Sequence, residues 1–158
     1  MEAADVGVEL SPRDFSRLIE YGMRIKRAIT ESMEVQHPFE DDLSFLYGTI
    51  FVGPAFSHDA HSRNVCIFAN GELDRSPTGT GVSARLALET ARGCLRQGEP
   101  FIVESILGTR FTGRVKETTR HGKYDAVIHQ VEGRAWITGR NEFLISLDDP
   151  LKEGFILR

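Results

Sequence analysis

The run Asn64-Val-Cys-Ile-Phe-Ala-Asn-Gly-Glu-Leu-Asp-Arg-Ser-Pro-Thr-Gly-Thr-Gly-Val-Ser-Ala-Arg85 reads as a short buried strand, a polar turn and a glycine-flanked loop that opens a helix. The loop is Asp74 to Gly81. Glycines at 79 and 81 let the backbone take conformations that a Cβ hinders, so successive N–H groups can converge on one ligand. The helix that follows starts with unpaired N–H groups and a partial positive charge. Together these make a small anion pocket, suited to a carboxylate or phosphate. Asp74 at the rim offers a negative group to a cation on the same ligand. Plus and minus ends side by side suit an amino acid.

Two other readings of the same letters compete. One is a plain helix start whose glycines serve tight packing. The other is a dinucleotide fingerprint, since Gly79-x-Gly81-x-x-Ala84 fits G-x-G-x-x-A. That fingerprint needs a strand running straight into its first glycine. Here Asn70-Gly71 and Ser76-Pro77 intervene, and no β-α-β alternation follows. No Walker lysine follows Gly81, which excludes a nucleotide P-loop.

In the helix after the glycine loop, Ala84, Ala87, Leu88, Ala91, Cys94 and Leu95 share one face, which is expected to pack closely on a sheet. Gly98 closes it. Upstream, Ser11-Pro12-Arg13-Asp14 has the chemistry of a helix start, with serine as cap. Phe15, Leu18, Ile19, Ile25, Ile29 and Met33 then repeat at helical spacing, with Gly22 on the same side. His37-Pro38 ends that helix. Tyr47 to Val52 reads as a strand, and Val65 to Phe68 as one buried on both faces. From Phe101 the period becomes two, predicting strands over Phe101–Ile106, Phe111–Val115, Ala126–Val131, Ala135–Thr138 and Glu142–Leu147. Asp148-Asp149-Pro150 breaks the meander, and Gly154-Phe-Ile-Leu157 is a short terminal apolar segment. Trp136 is assigned to the core, His129 to a structural strand position, and Arg110 and Arg114 to solvated ones.

The chain has 158 residues, enough for one domain with a real core. Its net charge of −4 and lack of a basic tract argue against a nucleic-acid or anionic-membrane partner. No apolar run approaches the ~18–20 residues of a membrane span. The N-terminus, Met1-Glu-Ala-Ala-Asp, lacks the character of a signal peptide. Cys66 and Cys94 sit in apolar settings and read as core thiols of a reducing compartment, so the cytoplasm is the expected location. His58-Asp59-Ala60-His61 invites a metal reading. Helical zinc pairs sit four apart and no third ligand presents itself, so the expectation is an exposed loop and no metal.

The stretch Asp74 to Arg85 closely resembles the second active-site motif of the proline racemase family. Racemases and epimerases of that family carry cysteine where Thr78 stands. Threonine there is similar to the family's trans-3-hydroxy-L-proline dehydratases. Asp42-Leu-Ser-Phe-Leu-Tyr-Gly-Thr-Ile, Gly108-Thr-Arg-Phe-Thr-Gly and Asp149-Pro-Leu-Lys-Glu-Gly-Phe extend the likeness, so residues 1–158 resemble the C-terminal half of such a protein. The resemblance implies an α+β fold, a curved antiparallel sheet around a central helix. It would be one lobe of a two-lobed, diaminopimelate-epimerase-like architecture with the active site between lobes.

The resemblance also implies roles. Asp74 contacts the substrate amine, the Gly79 and Thr80 amides hold its carboxylate, and Phe68 lines the ring. Thr78 stands at the second catalytic cysteine. A thiol serves as acid or base, whereas an unactivated alcohol is a poor base. With one competent base, a substrate hydroxylated at Cβ loses water instead of being reprotonated. The implied activity is hydro-lyase, converting trans-3-hydroxy-L-proline to Δ1-pyrroline-2-carboxylate without any cofactor, with a homodimer as the full-length form. The family's base lies in a Met-Cys-Gly-His motif of the N-terminal half, which this sequence lacks, so negligible turnover by this chain alone is expected. Alternatives are a non-catalytic amino-acid-binding or scaffold domain and a one-base proline or hydroxyproline epimerase. An isolated half is further expected to self-associate through Phe143-Leu-Ile145 and Phe155-Ile-Leu157.

Overall fold

The computed structural model describes residues 1–155. Two helices and six strands form it: α1 (Phe15–Ser32), β1 (Gly48–Gly53), β2 (Ser62–Phe68), β3 (Glu72–Leu73), α2 (Gly79–Ala91), β4 (Phe101–Glu104), β5 (Arg110–His121) and β6 (Tyr124–Glu132). The strands make one sheet in the order β1-β2-β4-β5-β6, with β3 beside β2. Every pairing is antiparallel except β2 with β4, which run parallel through Ser62↔Val103 and Arg63↔Glu104. The expected α+β sheet, mainly antiparallel, thus includes one parallel pair, where α2 carries the chain back across the sheet between the two strands.

Alternation along β2 sorts its side chains between two helices. Val65 and Ile67 join Leu18 and Phe51 in a core beneath α1. There Gly22 lets the helix lie on the strand, since a Cβ at that position would come within 2.7 Å of Ile67 Cβ. Thr49 Oγ1 donates to the Gly22 carbonyl at 3.0 Å and ties the same crossing. On the opposite face, Val82 and Leu86 of α2 pack with Phe101, Val103 and Val115. Leu86 fits because Gly113 has no side chain, and a Cβ there would meet Leu86 Cδ1 at 2.8 Å. Beyond a register shift between Val115 and Glu117, β5 and β6 extend as an arm. The arm's tip returns to the segment after α1, where His121 Nε2 meets His37 Nε2 at 3.4 Å. The sheet is therefore curved, with α2 in its hollow.

Several sequence expectations change. Ser11 makes no cap hydrogen bond, and Asp14 instead accepts the Glu9 N–H at 2.8 Å. Phe15 and Met33, at the two ends of the predicted apolar face of α1, are exposed. The inner face of α2 is formed by Gly81, Val82 and Leu86, while Ala84, Leu88 and Ala91 face outward. Cys94 is exposed rather than a core thiol, although both cysteines are free as expected. Residues 135–138 and 142–147 form no strands, and Trp136 is 65% exposed rather than in the core. Neither segment pairs with the open edge of β1 or β6 among the described residues. Ile156 and Leu157 of the terminal apolar segment lie outside those residues.

Candidate active site

The edge of β2 that faces away from β1 is divided. β4 covers Ser62 and Arg63 at one end, and β3 covers Ile67 and Phe68 at the other. The loop from Asp74 enters at the gap, where the Asp74 N–H donates to the Cys66 carbonyl at 3.1 Å. The topology thus delivers this loop to the start of α2.

Within the loop both carboxylate oxygens of Asp74 are used. Oδ1 accepts the Ser76 N–H at 2.8 Å, and Oδ2 accepts the Thr78 hydroxyl proton at 2.7 Å. The Thr78 N–H donates to Ser76 Oγ at 3.0 Å. Thr78 occupies φ +64° and ψ 111°, a conformation that a β-branched residue rarely takes. This corrects the sequence reading, which placed the unusual backbone at the glycines. Gly79 and Gly81 are helical, and the strain sits on Thr78 between them and the turn. Gly81 instead permits close packing, since a Cβ there would approach Ile50 Cδ1 at 2.6 Å. Around Gly79, by contrast, a Cβ would meet nothing within 4 Å.

The first hydrogen bond of α2 runs from the Val82 N–H to the Thr78 carbonyl at 2.8 Å. No acceptor among the described residues takes the N–H groups of Gly79 or Thr80. These are the orphan donors of a helix start, and they lie one residue beyond the Thr78–Asp74 pair. Amide donors and a carboxylate therefore stand together, the arrangement a zwitterion requires. Phe68, the expected ring-facing aromatic, is half-buried at the end of β2 and stacks on Tyr47 with ring centres 5.6 Å apart.

Sequence reasoning missed four participants. Cys66 is buried beneath the loop, with its thiol against the Thr78 side chain; burial pushes that thiol above its ordinary range, which the neighbouring Thr78 hydroxyl only partly offsets. Ser76 braces Thr78 from one side. Asn64 and Arg85 are linked at 3.0 Å beneath the loop. A polar Asn at the head of an apolar strand was the available signal, because buried amides need partners.

Other expected features lie elsewhere. An open cleft of about 780 Å³ borders Arg75 and Ser76 and runs past Thr109, Phe111 and Trp136, without touching Asp74, Thr78, Gly79 or Thr80. His61 Nδ1 accepts the Ile102 N–H at 3.0 Å. Asp59 forms a two-pronged pair with Arg110 at 2.8 and 2.9 Å, and these hydrogen bonds hold its carboxyl below the usual range. Arg110 is thus ion-paired, not merely solvated. Among the described residues no three or more potential metal ligands gather, and no helix is long and apolar enough to cross a membrane.

The sequence profile described as proline racemase matches residues 1–156. A trans-3-hydroxy-L-proline dehydratase of Colwellia psychrerythraea is 48% identical over 158 residues, covering 100% of this chain and 44% of that protein. A proline racemase of Clostridioides difficile is 40% identical, with 100% and 47% covered. The crystal structure of a hydroxyproline epimerase from Agrobacterium vitis with bound trans-4-hydroxy-L-proline superposes with a TM-score of 0.88 at 32% identity. The match covers 99% of this chain and 45% of that one. The chain spans about half the length of the relatives it matches.

Proposed function

The chain belongs to the proline racemase family, and on that premise we propose that it supplies the carboxylate-binding side of a trans-3-hydroxy-L-proline dehydratase. In this reading the Gly79 and Thr80 amides bind the substrate carboxylate and Asp74 takes the ring ammonium. Phe68 faces the ring. Removal of the Cα proton falls to a thiol outside this chain. The electron pair left on Cα then forms the Cα=Cβ bond as the C–O bond at Cβ breaks, hydroxide leaving as water on protonation. The enamine tautomerises to the cyclic imine. No cofactor enters this scheme.

One observation carries the reading. The only proton on Thr78 Oγ1 is committed to Asp74 at 2.7 Å, at the place where racemases keep a titratable thiol. An alcohol so engaged is neither an anion nor a ready acid, and loss of an acid or base partner typically removes ~10²–10⁴-fold of rate. Reprotonation from this side is suppressed, which favours elimination. The relative from Colwellia psychrerythraea that bears the dehydratase name supports the same choice.

A second reading, an amino-acid-binding domain without catalysis, draws on Cys66. It is the one thiol beside the pocket, it is buried, and its ionisation is suppressed, so it makes a poor base. Coexpression with the N-terminal half of the Colwellia psychrerythraea dehydratase separates the two. Loss of trans-3-hydroxy-L-proline with formation of imine is the expected result. In the same complex Thr78→Cys should raise deuterium wash-in at Cα of L-proline by at least ~10²-fold. A complex that forms and binds hydroxyproline but yields no imine would favour the binding domain and overturn the dehydratase.

A further inference from the structure

Asn64 is fully buried on the face of β2 that looks toward α2, and its carboxamide is held at both ends. Arg85 Nη1 donates to Oδ1 at 3.0 Å, and Nδ2 reaches the Pro77 carbonyl at 3.5 Å. A guanidinium only donates, so the amide atom facing it is oxygen, which leaves the NH2 group for the carbonyl. Arg85 is itself fixed, its Nε and Nη2 lying 3.3 and 3.2 Å from Glu89 Oε1. Both of those side chains are about 15% exposed or less. The chain of contacts thus runs from the second and third turns of α2, through β2, to the peptide that enters Thr78.

That peptide is where the loop most needs holding. A β-branched residue at φ +64° relaxes unless its surroundings over-determine it. The Ser76 and Asp74 contacts restrain Thr78 from within the loop, and they move with it. Asn64 is anchored in the sheet. We propose that Asn64 is a positioning residue for the pocket: aimed by Arg85 and Glu89, its carboxamide holds the Pro77 carbonyl and so keeps Thr78 in the left-handed conformation that presents the Gly79 and Thr80 amides. The functional meaning rests on the reading of those amides as the carboxylate site, whereas the restraint on Thr78 is independent of it.

Asn64→Asp is the informative change. It keeps the size of the side chain and its contact with Arg85, but turns an acceptor toward the Pro77 carbonyl. Hydrogen–deuterium exchange on the full chain reads the result at the Thr78 and Val82 amides, which bond to Ser76 Oγ and the Thr78 carbonyl. Exchange there should quicken about tenfold, the effect of losing one hydrogen bond, with β1 and β5 unchanged. In a Thr78→Gly background, where positive φ carries no strain, the same substitution should change exchange far less. An equal effect in both backgrounds, or none in either, overturns the proposal. Should N64D not fold, Arg85→Met frees the carboxamide and must give the same local quickening, or the proposal fails. Calorimetry with trans-3-hydroxy-L-proline runs in parallel: no binding by the parent chain alongside the exchange coupling rejects the pocket reading and leaves the positioning role standing.

Discussion

Thr78 combines two properties that pull against each other, a backbone held at φ +64° and a hydroxyl locked to Asp74 at 2.7 Å. A charge-assisted hydrogen bond contributes roughly 1.5–3 kcal/mol, and an off-region backbone costs roughly 1–3 kcal/mol, so the two nearly cancel. The chemistry of Thr78 was legible in the sequence because it depends on side-chain type. Its strain was not, because adjacent glycines offered a more natural place for it. Cys66, beside it, gives a pH-dependent test. Burial raises the folded thiol's pKa above that of the unfolded chain, so the neutral thiol favours the folded state. Stability from this source is intact below about pH 8.5 and falls as pH climbs through the folded pKa. Chemical denaturation from pH 7 to 10 should show that decline, and Cys66→Ala should flatten it. An unchanged slope in the variant would show the thiol to be uncoupled from folding. Cys94, exposed, should meanwhile react with a thiol reagent at once, and Cys66 only as the fold opens.

At the level of elements, the two helices and β1, β2, β4, β5 and β6 could be read from periodicity, but the two-residue β3 and the facing of α2 could not. Val82 and Leu86 lie on one side and Ala84, Leu88 and Ala91 on another, so two apolar stripes run along one helix. Periodicity has no means of choosing between them. Gly113, which clears space for Leu86, makes the choice from 27 residues further along the chain. The glycines test this account in pairs. Gly22→Ala gains about 1 kcal/mol of helix propensity but drives a methyl against Ile67 Cβ, which costs about 1–3 kcal/mol and should leave the protein less stable. Gly79→Ala meets nothing within 4 Å and should stabilise by about 0.5–1 kcal/mol. Its methyl borders the amides assigned to the substrate, so hydroxyproline affinity should fall as stability rises. Thermal melts of both variants decide the point, and a stabilised G22A would refute the packing account.

For the whole molecule, the informative region follows β6. Ile137 is 94% exposed and Leu144 90%, with Phe143 and Leu147 close behind. Apolar side chains left this exposed favour association with other apolar surface. The alternating pattern that predicted strands there is present, but a strand also needs a partner for its backbone groups, and neither segment pairs with one among the described residues. The chain should therefore self-associate, with sizing profiles that shift with concentration. A Phe143→Lys, Leu144→Lys double variant should return it toward monomer with no change in melting temperature, since neither side chain touches the core. Monomer at every concentration in the parent would contradict this.

Taken by itself, the sequence determined the family motif, the α+β class, the position of the two helices and the chemistry offered by Asp74, Thr78, Gly79 and Thr80. Each of these depends on residue types a few positions apart, where local sterics and hydrogen bonding decide. Only the tertiary structure decided which face of α2 is inner, that β2 and β4 run parallel, that Thr78 carries the strain, and that Asn64, Cys66 and Arg85 stand beneath the loop. Those outcomes arise where residues far apart in the chain compete for the same space and the same hydrogen-bonding groups, and a linear pattern holds no record of that competition.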